Sequence, residues 1–483
     1  MGLSENELGT NLSTPPRGVS IKEMKWWIRT LSTLRNDTLA GLIAIAQRYG
    51  DFYCGSLGGL RIILLNHPDM VQWVLQRNYR HYSKDTFQYN LLRMVTGNGL
   101  LTNDGESWLR QRRLVQPAFH RSQIAAMARV MMNTIQSMLD RWEVIAQHGT
   151  PINVDEEMMR LSFEIVAKAF FGVDLSHQAE QLTQATLSVL DVIVHRARNP
   201  FSLPTWVPTA QSRRFRAALR TLDATVYRLI RQRQKERRAG GDRTSRVAGS
   251  EAVNPEKELR YDLLDMLLDA TDDHTDVPLN ERQIRDEIVT MLIAGHETVA
   301  SAMTWTLYLL AKYSHVTESL RQQIQSLFGR HQPEPNSLGA IPLLRWTFQE
   351  ALRLYPPAWL ITRKALQEDE IAGLVIPPGS LVVISPYILH RHPHFWQDPQ
   401  TFDPERFSEE RSSARPHFAY IPFGGGPRLC IGDAFATLEA QLVLAAILQR
   451  FRLRLVSESE VIPEPSVTLR PRGGMWMVLQ RVD

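Results

Sequence analysis

The feature that most constrains this chain is one uninterrupted segment, Glu281–Lys312, whose apolar residues keep helical spacing throughout. At about 1.5 Å per residue, a helix of that length crosses a whole domain. Helical spacing also predicts helices over Ile21 to about Tyr49, Arg121–Gln147, Glu156–Phe171, Phe215–Arg238 and Ile431 to about Phe451. Short strand-like runs appear near Asp51–Leu57, Leu60–Asn66, Leu381–Ile384 and Met475–Leu479. No internal repeat is evident. The expected architecture is mainly α with a small β-rich lobe, in one domain spanning residues 1–483.

Composition narrows the function. With 43% hydrophobic and 22% charged residues, the chain is ordinary for a globular protein. A net charge of +4 gives no argument for nucleic acid. Two cysteines, Cys54 and Cys430, exclude a disulfide framework and multi-cysteine zinc sites, and fit a reducing cytoplasm. Met1–Gly18 is polar and lacks the pattern of a signal peptide, and residues 1–20 are expected to be flexible. No apolar stretch is long enough to span a bilayer, so no transmembrane anchor is expected. Ala239–Glu258, rich in Gly, Ser and Arg, is expected to be a surface loop.

Chemistry concentrates around the second cysteine, in Phe423-Gly-Gly-Gly-Pro-Arg-Leu-Cys-Ile-Gly432. A Gly-rich turn lets backbone approach closely. A helix follows, with Phe435, Leu438 and Leu442 on one face. Backbone N–H donors and a helix N-terminus both favour a thiolate. A buried inert cysteine and a nucleophilic cysteine are the alternatives that such a residue leaves open.

This segment matches F-x-x-G-x-R-x-C-x-G at every fixed position, and so resembles the haem-binding pattern of the cytochrome P450 family. Four further segments follow the family's order: Trp108-Leu-Arg-Gln-Arg112, Ala294-Gly-His-Glu-Thr298, Glu350-Ala-Leu-Arg353 and Phe402-Asp-Pro-Glu-Arg-Phe407. The resemblance spans roughly Leu60–Leu479 and implies the cytochrome P450 fold, haem b (iron protoporphyrin IX) and O2-dependent monooxygenase activity. It implies Cys430 as the axial ligand of the haem iron, with Phe423 and Ala294 against the macrocycle. Trp108, Arg112, Arg363 and Arg428 are the implied propionate partners. Thr298 and Glu297 are the implied proton-delivery pair, which suits O–O cleavage in a mostly dry site. Glu350, Arg353 and Arg406 are the implied structural ion network.

Three finer expectations follow. Ala294, Thr298 and Ala302 share one small-residue face suited to a macrocycle, and Gly295 removes a side chain where O2 has to fit. His390, His392 and His394 alternate, and are expected on a strand-to-loop surface without metal. The implied substrate pocket is apolar: Leu100, Leu101, Ile293, Ala294, Thr298, Ala358, Trp359 and Val467.

Thr86–Tyr89, Thr96–Thr102, Ala294–Ser301 and Phe348–Trp359 are particularly similar to a thermophilic bacterial β-carotene hydroxylase of this family. Carotenoid hydroxylation is therefore the leading substrate expectation, with long-chain fatty acids second. A non-catalytic haem-thiolate sensor is the reading from another class; the Glu297–Thr298 pair argues against it. No G-x-G-x-x-G follows a strand. Electrons are expected from a separate ferredoxin or flavodoxin fed by an NAD(P)H reductase. The chain is expected to be soluble and cytoplasmic, and a monomer is the family default.

Overall fold

The computed structural model describes residues 29–30, 32–34, 36–57, 59–199, 202–240, 262–271, 278–457 and 459–482. Its packing divides into two compact units. The first comprises residues up to Thr86 with Ala358–Thr401 and Ala414–Leu429. The second comprises Phe87–Pro357, Phe402–Ser413 and Cys430 onward.

The first unit is built on a five-stranded sheet. Strands β1 (Phe52–Leu57), β2 (Leu60–Leu65), β3 (Tyr82–Ser83), β4 (Ile361–Ala365) and β5 (Leu381–Ile384) lie in the order β1-β2-β5-β4-β3. β2 and β5 run parallel, with Ile62 opposite Leu381, and the other pairs are antiparallel. Ile63, Leu65, Val382 and Ile384 are fully or almost fully buried from the sheet, and Val71, Val74, Phe418 and Ile421 pack on them. Burying such side chains stabilises by about 1.5–3 kcal/mol each relative to exposure.

Helix α1 covers Thr38–Tyr49, and the described residues 29–30, 32–34 and 36 before it are helical too, so the Ile21–Tyr49 segment that periodicity suggests is helical wherever it is described, except for a break. Residues 21–28 lie outside the described residues. The break comes at Asp37, which is extended and whose carboxylate accepts the Ala40 N–H at 3.0 Å. A capping carboxylate competes with helix continuation, and here it wins.

Of the three alternating histidines, His394 is exposed as expected, but the other two are not at the surface. His390 is fully buried and its Nε2 accepts the Ile421 N–H at 2.9 Å. His392 is buried against Asp51, with Nε2 to Oδ1 at 2.8 Å. The short helix Pro386–Leu389 and the turn after it carry His390 and His392 inward, where a strand-to-loop surface had been expected. Among the described residues, no group of three or more His, Cys, Asp or Glu side chains could hold a metal.

The second unit is helical. Its main helices are α2 (Phe87–Thr96), α3 (Gly105–Val115), α4 (Arg121–His148), α5 (Val154–Phe171), α6 (Ser176–Arg198) and α7 (Ala210–Gly240). They continue with α8 (Glu281–Lys312), α9 (Ser314–Phe328), α10 (Pro342–Leu354) and α11 (Asp433–Arg450). α8 has the bounds that its sequence pattern predicts. It opens on a capping box in which Asn280 and Gln283 exchange side-chain and backbone hydrogen bonds. α5, α7, α10 and α11 all pack against it. A three-stranded sheet joins Ile152–Asn153, Trp476–Arg481 and Phe451–Leu455.

Ala239 and Gly240 close α7 and are not part of a loop; 241–258 of the expected loop lie outside the described residues. On either side of that segment sits a buried ion cluster. Arg233 Nη1 reaches Asp262 Oδ1 at 2.9 Å and Asp265 Oδ2 at 2.7 Å, while Nη2 donates to the Phe171 carbonyl at 2.8 Å. Among the described residues, no helix is long and apolar enough to cross a membrane.

Candidate active site

The turn before Cys430 is shaped by a close backbone approach. Gly426 sits at φ +67, and a Cβ there would lie 1.9 Å from the Leu75 carbonyl oxygen. Only glycine fits both the dihedral and the contact. Partly exposed Phe423 begins this turn, and Arg428 closes the single helical turn Gly426–Arg428. Cys430 forms no disulfide and is exposed.

α11 begins at Asp433, two residues later than expected, because Ile431 and Gly432 still belong to the turn. Beside it, Phe119, Phe170 and Phe435 form an aromatic row with centroids 5.0 and 4.7 Å apart. A Cβ on Gly432 would lie 3.7 Å from the Phe119 ring and 4.0 Å from Cys430 Sγ.

The middle of α8 has an equally specific form. From Ile284 to Leu310 every residue is buried except Ala294, Gly295 and Thr298. This stretch of helix is therefore enclosed except around Ala294, Gly295 and Thr298. Thr298 Oγ1 donates to the Ala294 carbonyl at 2.7 Å. Its hydroxyl proton is thereby committed, which leaves oxygen lone pairs as acceptors.

Gly295 has a different purpose from the one its neighbours suggest. A Cβ there would meet Val166 Cγ2 of α5 at 3.0 Å, so the missing side chain serves the α5–α8 contact rather than space for O2. Ala302 on the same stripe is buried too. His296 is fully buried beside Phe163, and burial holds its pKa down at about 4, so it stays neutral at physiological pH.

Glu297 is the acid of this region. It is 2% exposed, and its Oε1 accepts from Thr468 Oγ1 at 3.0 Å. Burial pushes its carboxyl up to about 7, against the lowering pull of Arg470 and of the Thr468 hydrogen bond. Arg470 is itself paired with Asp155 of α5. Arg470 lies on a short strand, Leu469–Pro471, which Ser301 Oγ and Trp305 Nε1 tie to α8 by donating to the Leu469 carbonyl at 2.7 and 2.8 Å.

The remaining predicted residues fall in both units. On α3, Trp108 is buried and Arg112 is half-buried. Burial lowers the Arg112 pKa, while the charges of Cys430 and Asp433 raise it. In the first unit, Arg363 is buried on β4 and donates to the Thr362 carbonyl at 2.9 Å. Glu350 and Arg353 are fully buried on α10 and bonded twice, at 2.7 and 2.8 Å. Arg406 Nε joins Glu350 Oε1 at 3.2 Å, and the Asp403 N–H joins it at 3.0 Å.

Of the pocket residues, Leu100 and Ile293 are buried in the second unit, and Leu101 and Val467 are partly covered there. Ala358 is exposed and Trp359 partly covered in the first unit. Sequence reasoning missed Thr468 and Arg470, which adjoin Val467, and the consecutive acids Asp286 and Glu287. Two carboxyls at the start of an otherwise apolar helix were the available signal.

These features fit a flat tetrapyrrole with anionic side groups. A thiol at a glycine turn, a guanidinium within its field and an opening in a buried helix would supply ligand, counter-charge and clearance for such a group. The chain matches the Cytochrome P450 family over residues 21–478, and it belongs to that family. It is a haem-dependent monooxygenase.

Among relatives, cyclooctatin synthase of Streptomyces melanosporofaciens is 35% identical, with 88% of each chain covered. Human cytochrome P450 4F2 is 32% identical over 86% of this chain and 80% of its own. The crystal structure of the cytochrome P450DA haem domain superposes with a TM-score of 0.80 at 26% identity, covering 94% of this chain and 95% of that one. CYP175A1 from Thermus thermophilus gives a TM-score of 0.72 at 30% identity, covering 94% and 97%.

Proposed function

We propose that this chain works as one catalytic domain, 1–483, that hydroxylates a large apolar substrate, with the β-carotene ring as the leading candidate. Cys430 is the thiolate that binds haem iron. Bound haem supplies the oxidising iron, and a thiolate ligand favours O–O cleavage there. Trp108, Arg112, Arg363 and Arg428 hold the propionates, and Phe423 and Ala294 lie against the ring.

Thr298 accepts a hydrogen bond at the opening of α8, and Glu297 holds the proton to be delivered. The observation that carries this reading is the coincidence on α8 of a burial gap at Ala294 and Thr298 with an adjacent acid poised at about 7. An acid of that pKa can both give and take a proton at physiological pH. Electrons come from a separate ferredoxin or flavodoxin with its reductase.

The apolar lining supports a hydrocarbon substrate: none of Leu100, Leu101, Ile293, Ala358, Trp359 and Val467 carries a charge for a polar head group. Incubation with β-carotene under a surrogate electron supply is expected to give hydroxylated products. Turnover of laurate or palmitate without any carotenoid product would instead establish fatty-acid hydroxylation. Ligation is tested by the reduced, carbon-monoxide-bound spectrum. A red-shifted Soret band is expected in the wild type and not in Cys430→His, and its absence from the wild type would overturn the ligand assignment.

A further inference from the structure

Two consecutive carboxyls on α8 hold alternate amides of one loop. Asp286 Oδ2 accepts the Asn98 N–H at 2.9 Å, and Glu287 Oε2 accepts the Leu100 N–H at 3.1 Å. The loop can come this close because its glycines lack side chains. A Cβ on Gly97 would lie 2.1 Å from Asp286 Oδ2, and one on Gly99 would lie 2.0 Å from Thr290 Oγ1.

Asp286 is itself anchored. Its Oδ1 takes Arg285 Nη1 at 2.9 Å, and Arg285 in turn holds Asp223 of α7 at 2.8 and 2.6 Å. From α3, Gln111 Nε2 donates to the Asn98 carbonyl at 2.7 Å.

Glu287 has no such anchor. It is 2% exposed, its Oε1 has no hydrogen-bond partner among the described residues, and burial pushes its pKa up to about 8. A buried carboxyl with one oxygen unsatisfied destabilises the helix that carries it. An apolar side chain would suit packing better. Among the described residues, the one hydrogen bond that its side chain makes is to the loop.

We propose that Asp286 and Glu287 are positioning residues that pin the Gly97–Leu101 loop to α8, and thereby make Leu100 and Leu101 a fixed wall that selects substrate by bulk. The proposal rests on the reading that these two leucines line the pocket. A pinned wall discriminates between rigid, wide substrates more sharply than between thin, flexible ones, because only the former need its position held.

The test uses the haem-loaded full chain and two readouts. Hydrogen exchange reports the loop directly, and substrate-induced spin-state shifts give dissociation constants for β-carotene and laurate. In Glu287→Leu, the amides at 98–100 are expected to exchange about tenfold faster or more. The β-carotene constant is expected to rise about tenfold, and the laurate constant about threefold or less.

Glu287→Gln keeps an acceptor in the same shape and is expected to behave as wild type in both readouts, which separates pinning from general damage. Unchanged exchange in Glu287→Leu, or equal weakening of both substrates, would overturn the proposal. Leu100→Ala and Leu101→Ala, measured alongside, test the pocket reading by itself. If neither alters either constant, that reading fails, while the exchange data still report whether the acids pin the loop.

Discussion

Thr468 donates its hydroxyl proton to Glu297 at 3.0 Å, so the acid of α8 is held from the bend that precedes the strand Leu469–Pro471. This bond favours the ionised carboxylate and opposes the burial that raises its pKa to about 7. Removing the donor in Thr468→Val therefore moves the Glu297 pKa upward, by about one unit. The limb of the pH–rate profile that lies near 7 is expected to shift alkaline in Thr468→Val and to vanish in Glu297→Gln. A profile that is the same in all three proteins would remove Glu297 from proton delivery.

The Glu350–Arg353–Arg406 cluster is a second point of sensitivity. Among the described residues, Arg353→Ala leaves Glu350 buried with Arg406 and the Asp403 N–H as its partners. Breaking a buried pair in this way costs about 3–5 kcal/mol. The expected outcome is little or no haem-loaded protein, read as the ratio of Soret to protein absorbance. A normal ratio would show that the network is dispensable for cofactor loading.

Glu439 on α11 gives a pH dependence of stability. It is fully buried, it bonds Ser162 Oγ at 2.7 Å, and burial pushes its pKa up to about 8. A raised carboxyl means that the folded state binds the proton more tightly than the unfolded one. Its contribution is complete below the unfolded value near 4.5, and is lost as pH rises toward 8. Glu439→Gln is expected to flatten that decline, so that the variant's melting temperature exceeds the wild type's at pH 8 and approaches it at pH 5. Parallel melting curves across this window would refute the assignment.

Gly426→Ala tests the turn before Cys430. A methyl group would collide with the Leu75 carbonyl, and φ is +67 there, so strain adds to the clash. The loss is expected to be about 1–3 kcal/mol. Haem retention on dilution should fall with it; unchanged melting and retention would mean that the turn relaxes freely.

Regular, periodic parts of the fold were legible in the sequence. α8 repeats an apolar pattern for its whole length and has the predicted bounds. Ends set by side-chain chemistry were not, as Asp37 shows by capping where periodicity runs on. Positions two residues apart on an apparent strand, His390 and His392, turned out to belong to a helical turn and the buried region after it. For the site, motif spacing located Glu350, Arg353 and Arg406 together because local sequence and ion pairing agree. It gave Gly295 the wrong neighbour, since what faces a missing side chain depends on Val166, far away in sequence. Thr468, Asp286 and Glu287 escaped notice for the same reason: their partners are between 171 and 188 positions distant.

The Arg233 cluster has a practical corollary. Asp262 and Asp265 grip Arg233 across 29 and 32 positions, so the two ends of the intervening stretch are tied together by native contacts on both sides. Closing a loop costs only about 0.6 kcal/mol more for each doubling of its length. The stretch between Gly240 and Asp262 is thus a natural place to graft a second module into the chain, with the helices on either side keeping their register.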